Sequence, residues 1–224
     1  MSDRISAAGR PVLPVVTLFE SYGSGANYIG PRVAHALGVP FHAQAFSSEE
    51  LENAEANRES EGVLARVFSA MGGSYAGLEG PAVAMAQRDD YELVMANTRQ
   101  VQEEARQGGV ITGRNAALIL ANRPAALHVL LDGPLAQRIE RAARDSGITV
   151  ERAAKRQRRE DQIRADMSLQ LYGWDPRDTH RYDLTVNTGT MDLDVCAEII
   201  VQAARVKAGL HRTTGPRPQP REAP

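Results

Sequence analysis

An apolar run, Leu13-Pro14-Val15-Val16-Thr17-Leu18-Phe19, passes directly into Glu20-Ser21-Tyr22-Gly23-Ser24-Gly25-Ala26-Asn27-Tyr28-Ile29-Gly30. A strand that ends in a Gly-Ser-Gly turn and opens a helix brings successive backbone N–H groups onto one point, at the positive end of that helix. This is the layout of a phosphate-binding loop. Set against the pattern G-x-x-x-x-G-K-[ST], Gly25 takes the second glycine, Glu20 falls at the first, Ala26 at the lysine and Asn27 at the magnesium-binding hydroxyl. The backbone half of a nucleotide site is present and the charged half is missing. The plain alternative is a tight strand-to-helix turn without a ligand, for which glycine is the usual residue. A dinucleotide fingerprint fits less well, since G-x-G-x-x-G requires glycine where Tyr28 stands.

No distant lysine near the start of the chain serves the loop, because the only lysines are Lys155 and Lys207 and all other basic residues are arginines. A chain of 224 residues with 42% hydrophobic and 24% charged residues is an ordinary globular composition, long enough for one α/β domain. The net charge of −2 argues against general nucleic-acid or membrane-surface binding. The single cysteine, Cys196, excludes an intramolecular disulfide and fits a reducing compartment. No apolar run is long enough to span a membrane and the N-terminus lacks the pattern of a secretory signal, so the expected location is cytoplasmic.

The pattern along the chain alternates. A strand is expected at 12–19, a helix at 26–37 closed by Gly38, an extended segment at Pro40-Phe41-His42 and a helical stretch opened by Ser47 or Ser48. After Gly72, Gly73, Gly77 and Gly80, a long helix is expected from Pro81 to about Gln107. Strand Val110-Ile111-Thr112 leads into Gly113-Arg114-Asn115 and a short helix; strand 126–131 leads through Asp132-Gly133-Pro134 into helix 135–145. A strand at 184–186 precedes a helix at 192–208, with Val195, Ile199, Ile200, Ala203 and Val206 read as its apolar face. Residues 1–11 and 210–224 have the composition of tails around a single domain at 12–209. The order implies an α/β fold with a mainly parallel five-stranded sheet covered on both sides. Ligands of such sheets collect at the carboxyl ends of the strands, where Gly23–Asn27, Arg114 and Asp132 fall.

Arginine dominates the other candidates. The stretch Thr149–Tyr172 holds Arg152, Lys155, Arg156, Arg158, Arg159 and Arg164. It reads either as a solvated helix face, with Glu160 four residues before Arg164 in the favourable order, or as a lid that brings arginines over a polyphosphate. Arg138, Arg141 and Arg144 would stand beside it. Arg114, at the mouth of the sheet, is either a ligand contact or half of a structural ion pair.

Taken together, Gly-Ser-Gly with Ile29-Gly30, the Gly-Val-Pro-Phe after the first helix, the strand plus Gly113-Arg114, Arg158-x-x-Asp161-x-x-Arg164, Tyr172-Gly-Trp-Asp and Tyr182-Asp-Leu-Thr-Val-Asn-Thr resemble the cytidylate kinase-like family of nucleoside monophosphate kinases over roughly residues 12–208. The resemblance implies a P-loop nucleoside triphosphate hydrolase-type three-layer fold, a monophosphate-binding insertion at about 40–107, a lid at about 149–180, and ATP and Mg²⁺ as co-substrates. It implies that Gly23, Ser24 and Gly25, with Ala26 and Asn27, hold the donor phosphates. Arg114, with Asn115 and Arg138, would contact the acceptor, and Arg158, Asp161 and Arg164 would act from the lid. It assigns no metal ligands and no oligomeric state. The chain departs from the family at Asn27, where an arginine usually follows the loop, at His42-Ala43 in place of Tyr-Asp, and at Thr112 and Asn115 in place of acidic residues. These departures leave two other readings open: a catalytically weak nucleotide-binding sensor, or a kinase for a different small acceptor.

Overall fold

The computed structural model describes residues 13–44, 47–49 and 81–209, with the backbone alone for 81–90. The expected tails and most of the expected insertion lie outside the described residues. Five strands, β1 (Val15–Glu20), β2 (Phe41–His42), β3 (Gly109–Thr112), β4 (Ala126–Asp132) and β5 (Leu184–Asn187), form one sheet in the order β2-β3-β1-β4-β5. All four pairings are parallel. The helices are α1 (Ala26–Leu37), α2 (Pro81–Arg106), α3 (Ala116–Ile119), α4 (Leu135–Ser146), α5 (Val150–Tyr172) and α6 (Leu193–Lys207). The fold is the α/β P-loop type expected from the sequence.

β1 is the central strand, and its alternating side chains serve two cores. Val16 and Leu18 point into the layer of α1 and α6, against Ile29, Val33, Ile200 and Val201. Val15 points to the other face, with Val101 of α2, Ile111 of β3 and Ala116 of α3. A strand with both faces covered reads as a continuous apolar run, which is why Val15-Val16-Thr17-Leu18 carries a single polar side chain. That side chain is satisfied: Thr17 Oγ1 lies 2.9 Å from Nδ1 of the buried His128 on β4.

The face that α6 buries differs from the expectation. Cys196, Ala197, Ile200, Val201 and Ala204 are buried, whereas Val195, Ile199 and Val206 are exposed. Apolar residues cover more than one side of this helix. The buried side is the one with small residues, which meet Ala26, Ile29, Val33 and Ala34 of α1 in a single core cluster.

Gly30, in the middle of α1, lies where the ring of Phe41 on β2 closes on the helix. A Cβ at Gly30 would stand 2.4 Å from Phe41 Cε2. Helix propensity alone favours alanine over glycine by about 1 kcal/mol, but overpacking of a core contact costs about 1–3 kcal/mol. Gly30→Ala is therefore expected to lower the unfolding free energy in urea titrations. A stabilised variant would show that the ring gives way freely.

Candidate functional site

The loop between β1 and α1 is held from behind. Gly23 and Gly25 adopt φ of 81° and 91°, which favour glycine. A Cβ on Gly23 would lie 2.3 Å from the main-chain oxygen of Arg138, so only glycine allows α4 this close. Two arginines of α4 donate to consecutive loop carbonyls: Arg138 Nη1 to Tyr22 O at 2.9 Å and Arg141 Nη1 to Gly23 O at 2.9 Å. Arg138 Nε also donates to Gly133 O at 3.0 Å, and Arg141 Nη1 to Thr188 Oγ1 at 3.1 Å. Because a peptide is planar, fixing its carbonyl fixes its N–H on the opposite side. Arg138 thereby aims the Gly23 N–H. Arg141 aims the Ser24 N–H, which closes the turn onto Ser21 O at 3.0 Å.

Among the described residues, no hydrogen bond engages the N–H groups of Gly23, Gly25 or Asn27. Ser24 is fully buried and its Oγ has no partner. Two other loop donors are occupied by carboxylates of the same chain. The Ala26 N–H donates to Glu20 Oε2 at 2.9 Å, and the Tyr22 N–H to Asp161 Oδ1 at 2.7 Å. Free donors converging at the start of a long helix, with an orphaned buried hydroxyl, fit the phosphate chain of a nucleotide. The oxygen donors beside the loop, Ser24 Oγ and the Asp161 carboxylate, are of the kind Mg²⁺ takes alongside phosphate oxygens.

Beside the loop opens a cavity of about 680 Å³, bounded by the carboxyl ends of β1, β2 and β3 and by α2 and α5. Glu20, Phe41, Asn97, Arg114, Arg164 and Tyr172 are among its walls. Arg114 forks onto Glu104 of α2, with Nη1–Oε1 at 3.0 Å and Nη2–Oε2 at 2.5 Å. His42 Nδ1 lies 3.5 Å from the same carboxylate. The turn that carries Arg114 is unusual, because Arg114 and Asn115 both have left-handed backbone, φ 56° and 55°. It is clamped from two sides: Asn97 Nδ2 donates to Arg114 O at 2.9 Å, and Trp174 Nε1 to Asn115 Oδ1 at 2.7 Å. His42 Nε2, Thr112 Oγ1 and Arg114 Nε are buried without hydrogen-bond partners. Buried polar atoms are nearly always paired in the absence of a role, and these three belong to residues of the cavity wall.

The structure separates the candidates that the sequence grouped. Arg164 and Asp161 stand at the junction of loop and cavity. Arg164 Nη2 donates to Glu160 Oε2 at 2.9 Å and Nη1 lies 3.6 Å from Asp161 Oδ1. Arg158 is exposed. Six positions along a helix turn a side chain by ~120° away from its starting face, so Arg158, expected to act from the lid with Arg164, lies off the face that carries Arg164 towards the cavity. Arg138 is not on the cavity wall: its guanidinium holds main chain and lies 3.2 Å from Asp161 Oδ2. Asn115 spends its side-chain oxygen on Trp174. Arg144 is exposed beside Asp145. Asn27 is exposed at the first turn of α1. Glu104 is a site-forming residue with no signal in the sequence; Arg141, expected beside the lid arginines, instead holds the loop main chain, and Glu20 occupies a loop donor.

A family model, the cytidylate kinase-like family, matches residues 15–190. The chain belongs to this family. Cytidylate kinases from Ignicoccus hospitalis and Pyrococcus furiosus are 32% and 35% identical over 111 and 105 residues, covering 50% and 47% of this chain and 64% and 54% of those proteins. A uronate isomerase of Corynebacterium glutamicum is 34% identical over 120 residues, 54% of this chain but 23% of that protein. The chain thus spans from about a quarter to just under two thirds of the length of these curated relatives. Among solved structures, an uncharacterized protein from Eubacterium ventriosum superposes with a TM-score of 0.60 at 15% identity, over 85% of this chain and 98% of that one, and shares the fold. Among the described residues no helix of this family member is long and apolar enough to cross a membrane.

Burial alone would raise the Glu104 carboxyl, but the Arg114 fork outweighs it and holds the group below its ordinary value. A depressed carboxylate contributes stability above its unfolded pKa, about 4.3, and loses it as pH falls through the lower folded value. Acidification below about pH 4 should therefore release the Arg114 turn. Glu104→Gln should flatten the acid limb of the melting temperature plotted against pH; an unchanged acid limb would show that this pair is not coupled to folding.

Proposed function

We propose that the protein transfers the γ-phosphoryl group of ATP to a nucleoside monophosphate held in the cavity. The carrying observation is the adjacency of a glycine loop with unpartnered N–H donors to a cavity of about 680 Å³, within the range that small-molecule sites occupy. Membership of the cytidylate kinase-like family and the likeness to named cytidylate kinases support the same reading.

In this reading Gly23, Ser24 and Gly25 hold the donor phosphates through main chain, as oriented by Arg138 and Arg141. Ser24 Oγ and the Asp161 carboxylate would help hold Mg²⁺, which would supply neutralisation of the charge that develops on the phosphates. Arg164 stands between loop and cavity and is the cation best placed to supply what Ala26 cannot. Arg114 is the acceptor-phosphate contact, provided Glu104 yields or shares its fork. The apolar wall at Phe41 and the amide of Asn97 suit a base, which needs a flat contact and a polar edge. No group in the chain forms a covalent intermediate in this scheme; catalysis is by positioning and charge.

A second reading, a nucleotide-binding sensor with little turnover, is favoured by a specific observation: both candidate cations are already matched, Arg114 by Glu104 and Arg164 by Glu160 and Asp161. Incubation with ATP, Mg²⁺ and a panel of nucleoside monophosphates separates the two. Diphosphate formation is expected. Nucleotide binding without turnover would select the sensor.

Gly25→Val, which puts a branched side chain at φ 91° where even a Cβ lies 3.2 Å from Leu193 Cδ1, should abolish ATP-induced thermal stabilisation. A retained shift would remove the loop from the site. Arg114→Ala should raise the acceptor KM at least ~10-fold, the loss of one charge-assisted contact, with ATP affinity kept. The reverse pattern would exchange the two subsites.

A further inference from the structure

The Ala26 N–H sits at the lysine position of the phosphate-binding pattern, on the first residue of α1, and an anion bound in the loop would be expected to take it. It is already taken. The Glu20 side chain, rising from the last residue of β1, places Oε2 2.9 Å from this nitrogen. The neighbouring donors of Gly23, Gly25 and Asn27 are unpartnered, and so is the buried Ser24 Oγ. A Glu20 oxygen thus occupies the helix-start donor of an anion cradle in which Asp161 holds the Tyr22 N–H and the Gly23, Gly25 and Asn27 N–H groups stay open.

Phosphate and carboxylate oxygens seek the same donors, and two anions at one helix N-terminus repel. The surroundings do little to relieve Glu20: burial pushes its carboxyl up, Arg164 and the Ala26 N–H oppose this, and Glu160 and Asp161 push it further up. Arg164 is itself shared with Glu160. The same side chain also lines the cavity, so a displaced carboxylate has an adjoining space to enter.

We propose that Glu20 is a built-in competitor of the donor phosphates, a tethered carboxylate that must leave the Ala26 N–H before a nucleotide seats fully in the loop. This rests on the loop being the nucleotide site. It makes Glu20 a determinant of donor affinity.

Binding of ADP, inorganic pyrophosphate and adenosine to the full chain and to Glu20→Ala and Glu20→Gln, measured by calorimetry, tests this. Both variants should bind ADP and pyrophosphate at least ~10-fold more tightly than the natural chain, about the effect of one charge-assisted contact. Adenosine, which has no phosphate, should bind alike to all three. Glutamine keeps an oxygen for the Ala26 N–H and removes the charge, so it carries the test if the alanine variant unfolds. Equal or weaker pyrophosphate binding in a folded variant overturns the proposal. Turnover of a nucleoside monophosphate by the natural chain would in that case leave the kinase reading standing. Tighter pyrophosphate binding without transfer to any monophosphate would instead uphold Glu20 as competitor and remove the kinase reading.

Discussion

The site depends on two guanidinium groups that never face the cavity. Arg138 and Arg141, one turn apart on α4, each donate to a carbonyl of the glycine loop. Hydrogen bonds with a charged partner contribute about 1.5–3 kcal/mol each, enough to hold a short loop in left-handed conformations that it would otherwise leave. Arg138 also joins Asp161 of α5, and Asp161 in turn accepts the Tyr22 N–H. Loop, α4 and α5 are therefore one hydrogen-bonded unit. Arg138 and Arg141 shape main chain, and among the described residues Arg114 and Arg164 are the arginines that line the cavity.

Electrostatic balance follows from that arrangement. In a phosphate-binding loop with a lysine, one mobile ammonium supplies charge without a fixed carboxylate partner. Here each inward cation has an acidic neighbour, and the loop has one too in Glu20. A ligand bearing phosphate must compete with these carboxylates for donors that are otherwise well placed. The family fold is retained while its charge is matched internally, so in the proposed function affinity and turnover would be set by how readily Glu20 and Glu104 give way.

Much of the fold was legible in the sequence because its signals are local. Gly38 ends α1 in a left-handed cap; the apolar runs at 13–19 and 126–131 become the neighbouring strands β1 and β4. The parallel order follows from the alternation of strands and helices. The side-chain partnerships were less legible, because they form between elements distant in sequence or depend on rotation about a helix. Arg158 and Arg164 flank Asp161 symmetrically in the sequence, yet only one faces the loop. Val195 and Ile199 have the spacing of a core face, but the smaller residues beside them are what α1 approaches. Glu104 is one acidic residue among several on a long helix, and nothing local distinguishes it until β3 delivers Arg114 to the same place. Glu20 was visible as a departure from a glycine position, but its contact with Ala26 appears only when the turn folds the strand end back onto the helix start.

In the proposed site, main chain held by Arg138 and Arg141 forms the anion-binding loop. Amide chemical shifts of the ¹⁵N-labelled protein, followed while inorganic pyrophosphate is added, test it most directly. Saturable shifts that are largest at Gly23, Gly25, Ala26 and Asn27, and their loss in Arg141→Ala, are expected. Static loop amides, with shifts confined to exposed arginines such as Arg144 and Arg158, would contradict it.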